Sequence, residues 1–315
     1  MYNRSILTLL TKEFYPINKN YYFAAIQYEI SMSIVLIPNI YFLYATLTCT
    51  AFNKRRRLKK TVLLFNVLNI LYIVNNLIIS SYYLGEYHNG GLIRVRICFY
   101  MRRIQMLLFS FINTTPLVLS VERYFNVFSK NDLQRYIVFV VFILVNFPSF
   151  MVIASVFFQS DIAWIPDEVC TFTKIPTSPT LSKIIDLIFY FTLGIPLIVG
   201  IINFFMIKRL KLRALIYPNF ISKNNQNKTI FINLIIQTFQ PFLGQWPTIL
   251  FYYYVYLTGN NIYIVWRILD GFTALSLVSN IFLSIIFLKD VRQAIFRKAS
   301  NKVVKDVTNV GAIKV

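Results

Sequence analysis

The sequence predicts an all-α membrane protein, a bundle of seven transmembrane helices followed by a short amphipathic helix on the cytoplasmic side. Three observations carry that prediction. Hydrophobic residues fill 57% of the 315 positions and charged ones only 14%, well below the quarter or so usual in soluble domains. The apolar residues gather into long runs, without the alternating or one-sided patterning of a water-solvated element. The basic residues, which give a formal charge of +20, lie between those runs. A nucleic-acid-binding chain would carry them along one face.

A spanning helix needs about 20 mainly apolar residues, because the hydrocarbon core is about 30 Å thick and a helix rises about 1.5 Å per residue. Residues 1–29 are expected as an extracellular tail. The apolar stretch of MYNRSILTLLTKEF is broken by Thr11, Lys12 and Glu13, short against the roughly 7–15 residues of a signal-peptide core. The first membrane helix would then serve as the insertion signal. Seven spans follow, at 30–52, 61–83, 97–121, 136–158, 184–207, 229–257 and 262–288, one membrane domain over 30–288. The first ends against NKRRRLKK, and the second carries Asn66, Asn69, Asn75 and Asn76. The third opens with Cys98 and closes with Glu122-Arg123-Tyr124, and the fifth holds Pro196. The sixth holds Pro241 and Trp246-Pro247, and the seventh stops at Lys289. Helix is the only sensible conformation, since lipid leaves every backbone N–H and C=O to be paired within its own segment. Residues 289–315 are expected as a cytoplasmic tail.

Orientation follows from lysine and arginine in the short loops. The loop and tail segments after spans one, three, five and seven carry 21 of them, six within Asn53–Lys60 alone. The other side carries seven: Arg4, Lys12, Lys19, Arg94, Arg96, Lys174 and Lys183. That threefold excess puts the N-terminus outside and the C-terminus in the cytoplasm. Asn3-Arg4-Ser5 becomes an accessible glycosylation sequon, whereas those at Asn113 and Asn227 would be membrane-buried and cytoplasmic. Cys98 and Cys170 both fall outside, where two thiols tend to pair. A bridge between them would hold the loop after the fourth helix over the bundle mouth; two unpaired cysteines are the alternative. Cys49, near the inner end of the first helix, reads as a packing residue.

Catalytic chemistry finds no support. His88 is the single histidine, and HExxH, GxSxG and GxGxxG are all missing. Three cysteines make neither a disulfide scaffold nor a metal site. No metal, cofactor or nucleic acid is expected.

Glu122-Arg123-Tyr124 lies 25 residues after Cys98 on one continuous helix, at its inner end. Ionisable residues at a membrane edge are functional candidates by default. In these features the chain resembles the rhodopsin-like (class A) G-protein-coupled receptors, which pair an outer third-helix cysteine with an E/D-R-Y triplet at this separation. Trp246-Pro247 is close to that family's W-x-P, and Asn280 matches its seventh-helix asparagine. Asp290 to Lys298 matches its short cytoplasmic helix, with Val291, Ala294 and Ile295 on one face. There are departures. The N-P-x-x-Y motif reads Asn280-Ile281-Phe282-Leu283-Ser284, and the second helix has no acid for a sodium site. The fourth helix has no tryptophan. No Asp or Glu lies between Asp186 and Asp270 to meet Arg123 from the sixth helix. This erosion is similar to that of the nematode serpentine chemoreceptors, and LIIQTFQPFLGQWP and LDGFTALS look like patterns of the Srg, Srx and Srv group.

The resemblance implies a receptor for an external small molecule that activates a heterotrimeric G protein. Arg123 would release Glu122 and meet the G protein as the sixth helix, kinked at Pro241 and Pro247, moves outward. The plainer alternatives are a juxtamembrane ion pair at Glu122 and Arg123 and a passive kink at Pro247. By the family's register Arg102, Gln105, Met106 and Phe109 face the cavity, as do Trp266 and Asp270. Arg102 and Gln105 are three apart, as are Arg267 and Asp270, so each pair shares a helix face. Asp186, near the top of the fifth helix, is a further charge at that level. Arg102 with Asp270 would form a polar floor or a cross-bundle ion pair. The alternative is an intrahelical Arg267–Asp270 pair with Arg102 or Arg103 snorkelling outward. Met106, Phe109 and Phe251 also fit plain core packing. The basic loop Lys54–Lys60 suits anionic inner-leaflet lipids.

A small multi-span transporter is the rival reading. It would favour an internal repeat and helices broken at mid-membrane, and no repeat is visible. A retinal protein needs a lysine in the last helix, and 263–288 contains none.

Overall fold

The computed structural model describes residues 14–48, 56–90, 92–128, 134–158, 162–167, 171–176, 179–216, 242–244, 246–251, 253–255, 257–260, 262–287 and 292. Seven helical segments run through them. They are α1 (Tyr22–Thr48), α2 (Arg56–Asn89), α3 (Val95–Phe128), α4 (Gln134–Phe158), α5 (Pro179–Ile216), α6 (within 242–258) and α7 (Tyr263–Phe287). Among the described residues Lys19–Thr48, Val62–Asn89 and Arg96–Glu122 are each long and apolar enough to cross a bilayer. Tyr136–Met151 is a shorter apolar helix.

The polarity of the bundle is inverted relative to a soluble protein. On α1 the exposed face carries Ile30, Ile34, Ile37, Tyr41 and Tyr44, while Asn39 and Thr46 are fully buried. The three-to-four spacing puts the apolar set on one side of the helix. Such a face would be a liability in water, and lipid is the solvent that suits it. Two of the buried amides donate within the bundle: Asn39 Nδ2 to the Val35 carbonyl at 2.9 Å, and Asn66 Nδ2 to the Asn39 carbonyl at 3.0 Å. This is a multi-pass membrane protein.

The helix ends differ from the expected spans. α1 begins at Tyr22, so the expected tail boundary at residue 30 falls inside a helix. Gln27, Tyr28 and Glu29, which fall inside the expected tail, are turned onto neighbouring helices, where each finds a hydrogen-bond partner. α2 and α3 are each 34 residues long and α5 is 38. Thirty-four residues extend about 51 Å, well past the hydrocarbon, so their basic ends sit at the aqueous boundary. One of those residues, Lys59, donates to the Leu47 carbonyl at 3.0 Å. It thereby ties the start of α2 to the C-terminal part of α1.

α1 packs on α2 and α7, and α3 packs on α2, α4 and α5. Every residue from 112 to 120 of α3 is buried, as expected of a helix surrounded by others. Pro38, Pro116, Pro148 and Pro196 lie inside helices, tolerated because neighbouring groups take up the freed carbonyls. Two small sheets occur that the apolar pattern did not predict. β1 (Phe14–Pro16) pairs antiparallel with β2 (Leu92–Arg94), tying the chain before α1 to the α2–α3 connection. β3 (Ile162–Asp167) and β4 (Thr171–Pro176) form a hairpin between α4 and α5, and β4 touches α3 and α4.

Candidate functional site

Two groups of hydrogen-bonded polar side chains lie between the helices, one joining α1 to α7 and one joining α3 to α2. On α7, Arg267 Nη2 stands 3.4 Å from Asp270 Oδ2, one turn further along the same helix. From α1, the Tyr28 hydroxyl donates to Asp270 Oδ1 at 2.7 Å, and Gln27 Nε2 donates to the Arg267 carbonyl at 3.1 Å. The Arg267 guanidinium also lies over the Tyr21 ring, 5.4 Å from its centroid. Of the two arrangements the sequence left open for Asp270, the intrahelical pair with Arg267 is present. The cross-bundle hydrogen bond to Asp270 comes from Tyr28. A buried carboxylate is tolerable only with such partners.

On α3, Arg102 Nη1 donates to Gln105 Oε1 at 2.5 Å, and Gln105 Nε2 donates to Asn76 Oδ1 of α2 at 2.5 Å. Asn76 Nδ2 closes onto the Tyr72 carbonyl at 2.7 Å. Arg102 is therefore half-buried and turned into the bundle along this chain. Its neighbour Arg103 is buried, with Nη1 directed at Met106 Sδ at 3.5 Å and the guanidinium over Phe99 at 5.2 Å. Met106 itself is 46% exposed. Trp266 meets Phe251 of α6 edge to face at 4.9 Å. On the neighbouring α1–α2 seam, Glu29 accepts from the hydroxyls of Ser80 and Ser81.

Toward the C-terminal end of α3, Glu122 is half-buried. Arg209 Nη1 of α5 donates to the Tyr124 hydroxyl oxygen at 3.1 Å. Arg123 and Asn280 are helical in backbone, but their side chains lie outside the described residues, as does that of Asp186. Trp246 and Pro247 are half-buried in α6, with the Trp246 ring 4.8 Å from that of Phe242. A little before them, α6 approaches α7 closely: a methyl added at Gly244 would collide with the Ser276 side chain. Thr248 and Thr273 both donate to the Gly244 carbonyl, at 3.2 Å and 3.3 Å.

Cys98 is fully buried and disulfide-bonded, its partner lying outside the described residues. Cys170, Asn3 and the stretch 289–315 except Arg292 also lie outside them. Among the described residues no group of three or more His, Cys, Asp or Glu side chains could hold a metal ion.

The sequence reading missed Gln27, Tyr28 and Glu29 because it placed them before the first helix. The signal was available: FAAIQYEISMSIV keeps an apolar residue on one face throughout. The apolar pattern therefore runs back past residue 30, and the three polar residues lie within the helix, where they reach α7 and α2.

No family model matches the sequence, and no curated protein matches it. Among solved structures the chain is similar to squid rhodopsin, at 18% sequence identity and a TM-score of 0.57, over 90% of this chain and 82% of that one. Such a likeness speaks to architecture, and it agrees with the order and packing of the helices described above. The chain has the seven-helix fold of the rhodopsin-like receptors.

Proposed function

We propose that this protein is a G-protein-coupled chemosensory receptor of the divergent nematode serpentine type, with no enzymatic activity of its own. It binds an external small molecule and activates a heterotrimeric G protein. One observation carries the reading. A single central helix, α3, bears a polar chain to α2 near its outer end and Glu122-Arg123-Tyr124 at its inner end, where Tyr124 bonds α5. Arg102 and Tyr124 are 22 residues apart, about 33 Å along the axis, which is the thickness of the hydrocarbon core. A rearrangement at one end is thereby available to the other.

In this reading the protein sits in the plasma membrane with residues 1–21 outside and the tail from 289 in the cytoplasm. Cys170 is the disulfide partner of Cys98 and holds the β3–β4 hairpin over the mouth. Asn3 carries sugar, and 290–298 lies along the inner leaflet as an amphipathic helix. The ligand meets Arg102, Gln105, Met106, Trp266 and Asp270. On activation α6 swings outward about Trp246-Pro247, and Arg123 leaves Glu122 for the G protein. Asn280 supports that movement from α7.

Expression with a panel of Gα reporters and odorants tests the reading, alongside Arg123→Ala at matched surface level. Ligand-dependent reporter signal that Arg123→Ala abolishes is the expected result. Solute uptake independent of any G protein, with a silent reporter panel, would replace the receptor with a transporter.

A further inference from the structure

Seven residues separate Tyr22 from Glu29 on α1, and the same interval separates Ser80 from Tyr87 and Ser81 from His88 on α2. That is two helical turns, or about 10 Å, so the two helices meet in two rungs on one face. In one rung the Glu29 carboxylate accepts from the Ser80 and Ser81 hydroxyls, the latter at 3.0 Å. In the other the Tyr22 ring lies 4.6 Å from that of Tyr87, and the His88 ring stands perpendicular to both. Between the rungs the seam is bare: Ala25 is buried, Gly85 is exposed, and a methyl added at Gly85 would meet no atom within 4 Å. The two hydroxyls serve the oxygens of Glu29 but leave its charge unpaired, since no lysine, arginine or histidine among the described residues lies within ion-pair distance of it. What the helices expose sets the level of this notch. Toward the middle of the bundle the exposed side chains are aliphatic, Ile30 and Ile34 on α1 and Val74 and Ile78 on α2. Beyond the notch they are Phe23, His88 and Asn89. Aromatic and polar side chains take over where hydrocarbon gives way to headgroups. Glu29 and Gly85 therefore stand at that boundary, where a lone carboxylate is costly unless a cation meets it.

We propose that the notch over Gly85 binds the ammonium headgroup of a membrane phospholipid, phosphatidylcholine or phosphatidylethanolamine. The positive nitrogen lies between the Glu29 carboxylate and the ring group of Tyr22, Tyr87 and His88, two surfaces that attract it. A lipid is the occupant because the notch opens sideways at headgroup level, with the aliphatic side chains of α1 and α2 beneath it for the acyl chains. The site depends on the membrane fold alone and is independent of what the receptor senses.

The experiment uses the purified full chain in dodecyl maltoside, titrated with dioleoyl-phosphatidylcholine or dioleoyl-phosphatidylglycerol, with bound lipid counted by native mass spectrometry. The many basic residues of the chain take phosphatidylglycerol elsewhere, so the reading is the change that each substitution makes. Glu29→Gln keeps the size of the side chain and an acceptor oxygen for the serines, and Gly85→Leu fills the notch. Each is expected to weaken phosphatidylcholine binding about tenfold and to leave phosphatidylglycerol binding unchanged. Gly85→Leu removes no side-chain hydrogen bond and improves helix propensity, so it decides alone should Glu29→Gln fail to fold. Choline chloride at the lipid's concentration is expected not to displace phosphatidylcholine. Phosphatidylcholine binding unchanged in either variant, or both lipids weakened alike, overturns the proposal. Displacement by choline overturns it too, because the site would then take a free ammonium compound. These outcomes leave the receptor reading standing, since it is decided by G-protein coupling and Arg123→Ala.

Discussion

The Tyr28 hydroxyl donates to Asp270 Oδ1 at 2.7 Å and so joins α1 to α7. Asp270 is only 8% exposed, and its remaining oxygen faces Arg267 at 3.4 Å. A carboxylate at that depth depends on both partners. Tyr28→Phe removes one of them with little change in shape, and the expected cost is about 1–3 kcal/mol, the usual penalty of leaving a buried acceptor short of a donor. Thermal unfolding of the purified protein reads it. A double-mutant cycle with Asp270→Asn should show the two changes to be strongly non-additive. Additive effects would mean that the hydroxyl and the carboxylate do not depend on each other.

At Gly244 α6 and α7 approach closely, and the seam there is built of small side chains, Gly244, Thr248, Thr273 and Ser276. Close backbone approach through small residues is the usual way membrane helices associate. By helix propensity alone, Gly244→Ala should stabilise by about 1 kcal/mol. The collision with Ser276 opposes that, and overpacking typically costs about 1–3 kcal/mol, so a net loss of stability is expected. Removing the opposing side chain in Gly244→Ala/Ser276→Gly should restore the midpoint. A single variant more stable than the parent would show that the seam has room.

Much of the fold was legible in the residue order because lipid imposes one conformation and one length on each span. The long apolar runs carried it. The ends of the helices were less legible. Hydropathy treats Gln27-Tyr28-Glu29 as water-loving and cannot see that each is satisfied by another helix. The short strands have no periodicity of their own to read. At the site, Arg267 and Asp270 were pairable from their spacing, since three residues on a helix are neighbours. The link from Gln105 to Asn76, by contrast, depends on how α2 and α3 are rotated against each other. Nothing in a single sequence states that rotation, and four asparagines on α2 were equal candidates. Arg209 was counted as a loop charge, and its bond to Tyr124 appears only because α5 continues as helix to Ile216.

Gln105 holds Arg102 with its oxygen and Asn76 with its nitrogen, and so ties α3 to α2. Gln105→Leu should lower the stability of the protein by about 1–3 kcal/mol, because two polar groups between the helices lose this partner. The thermal midpoint of the purified protein reports it. An unchanged midpoint would show that the Gln105 amide holds neither group firmly.

At the opposite end of α3, Arg209 Nη1 donates to Tyr124 Oη at 3.1 Å near the surface. An exposed bond of this kind contributes no more than about 1 kcal/mol to folding, so Tyr124→Phe should leave the thermal midpoint almost unchanged. Its effect on signalling should be larger than its effect on stability. The bond fixes the inner end of α3 against α5, beside the triplet assigned to the G protein. A difference of 1 kcal/mol between two bundle states is about a fivefold change in their ratio. Removing a bond that belongs to the resting arrangement shifts that ratio toward the active one. Ligand-free reporter activity, normalised to surface expression, is therefore expected to rise severalfold in Tyr124→Phe and in Arg209→Ala alike. Basal activity equal to the parent's in both variants would mean that the contact persists through activation. The restraint on the cytoplasmic face would then have to come from elsewhere in the bundle.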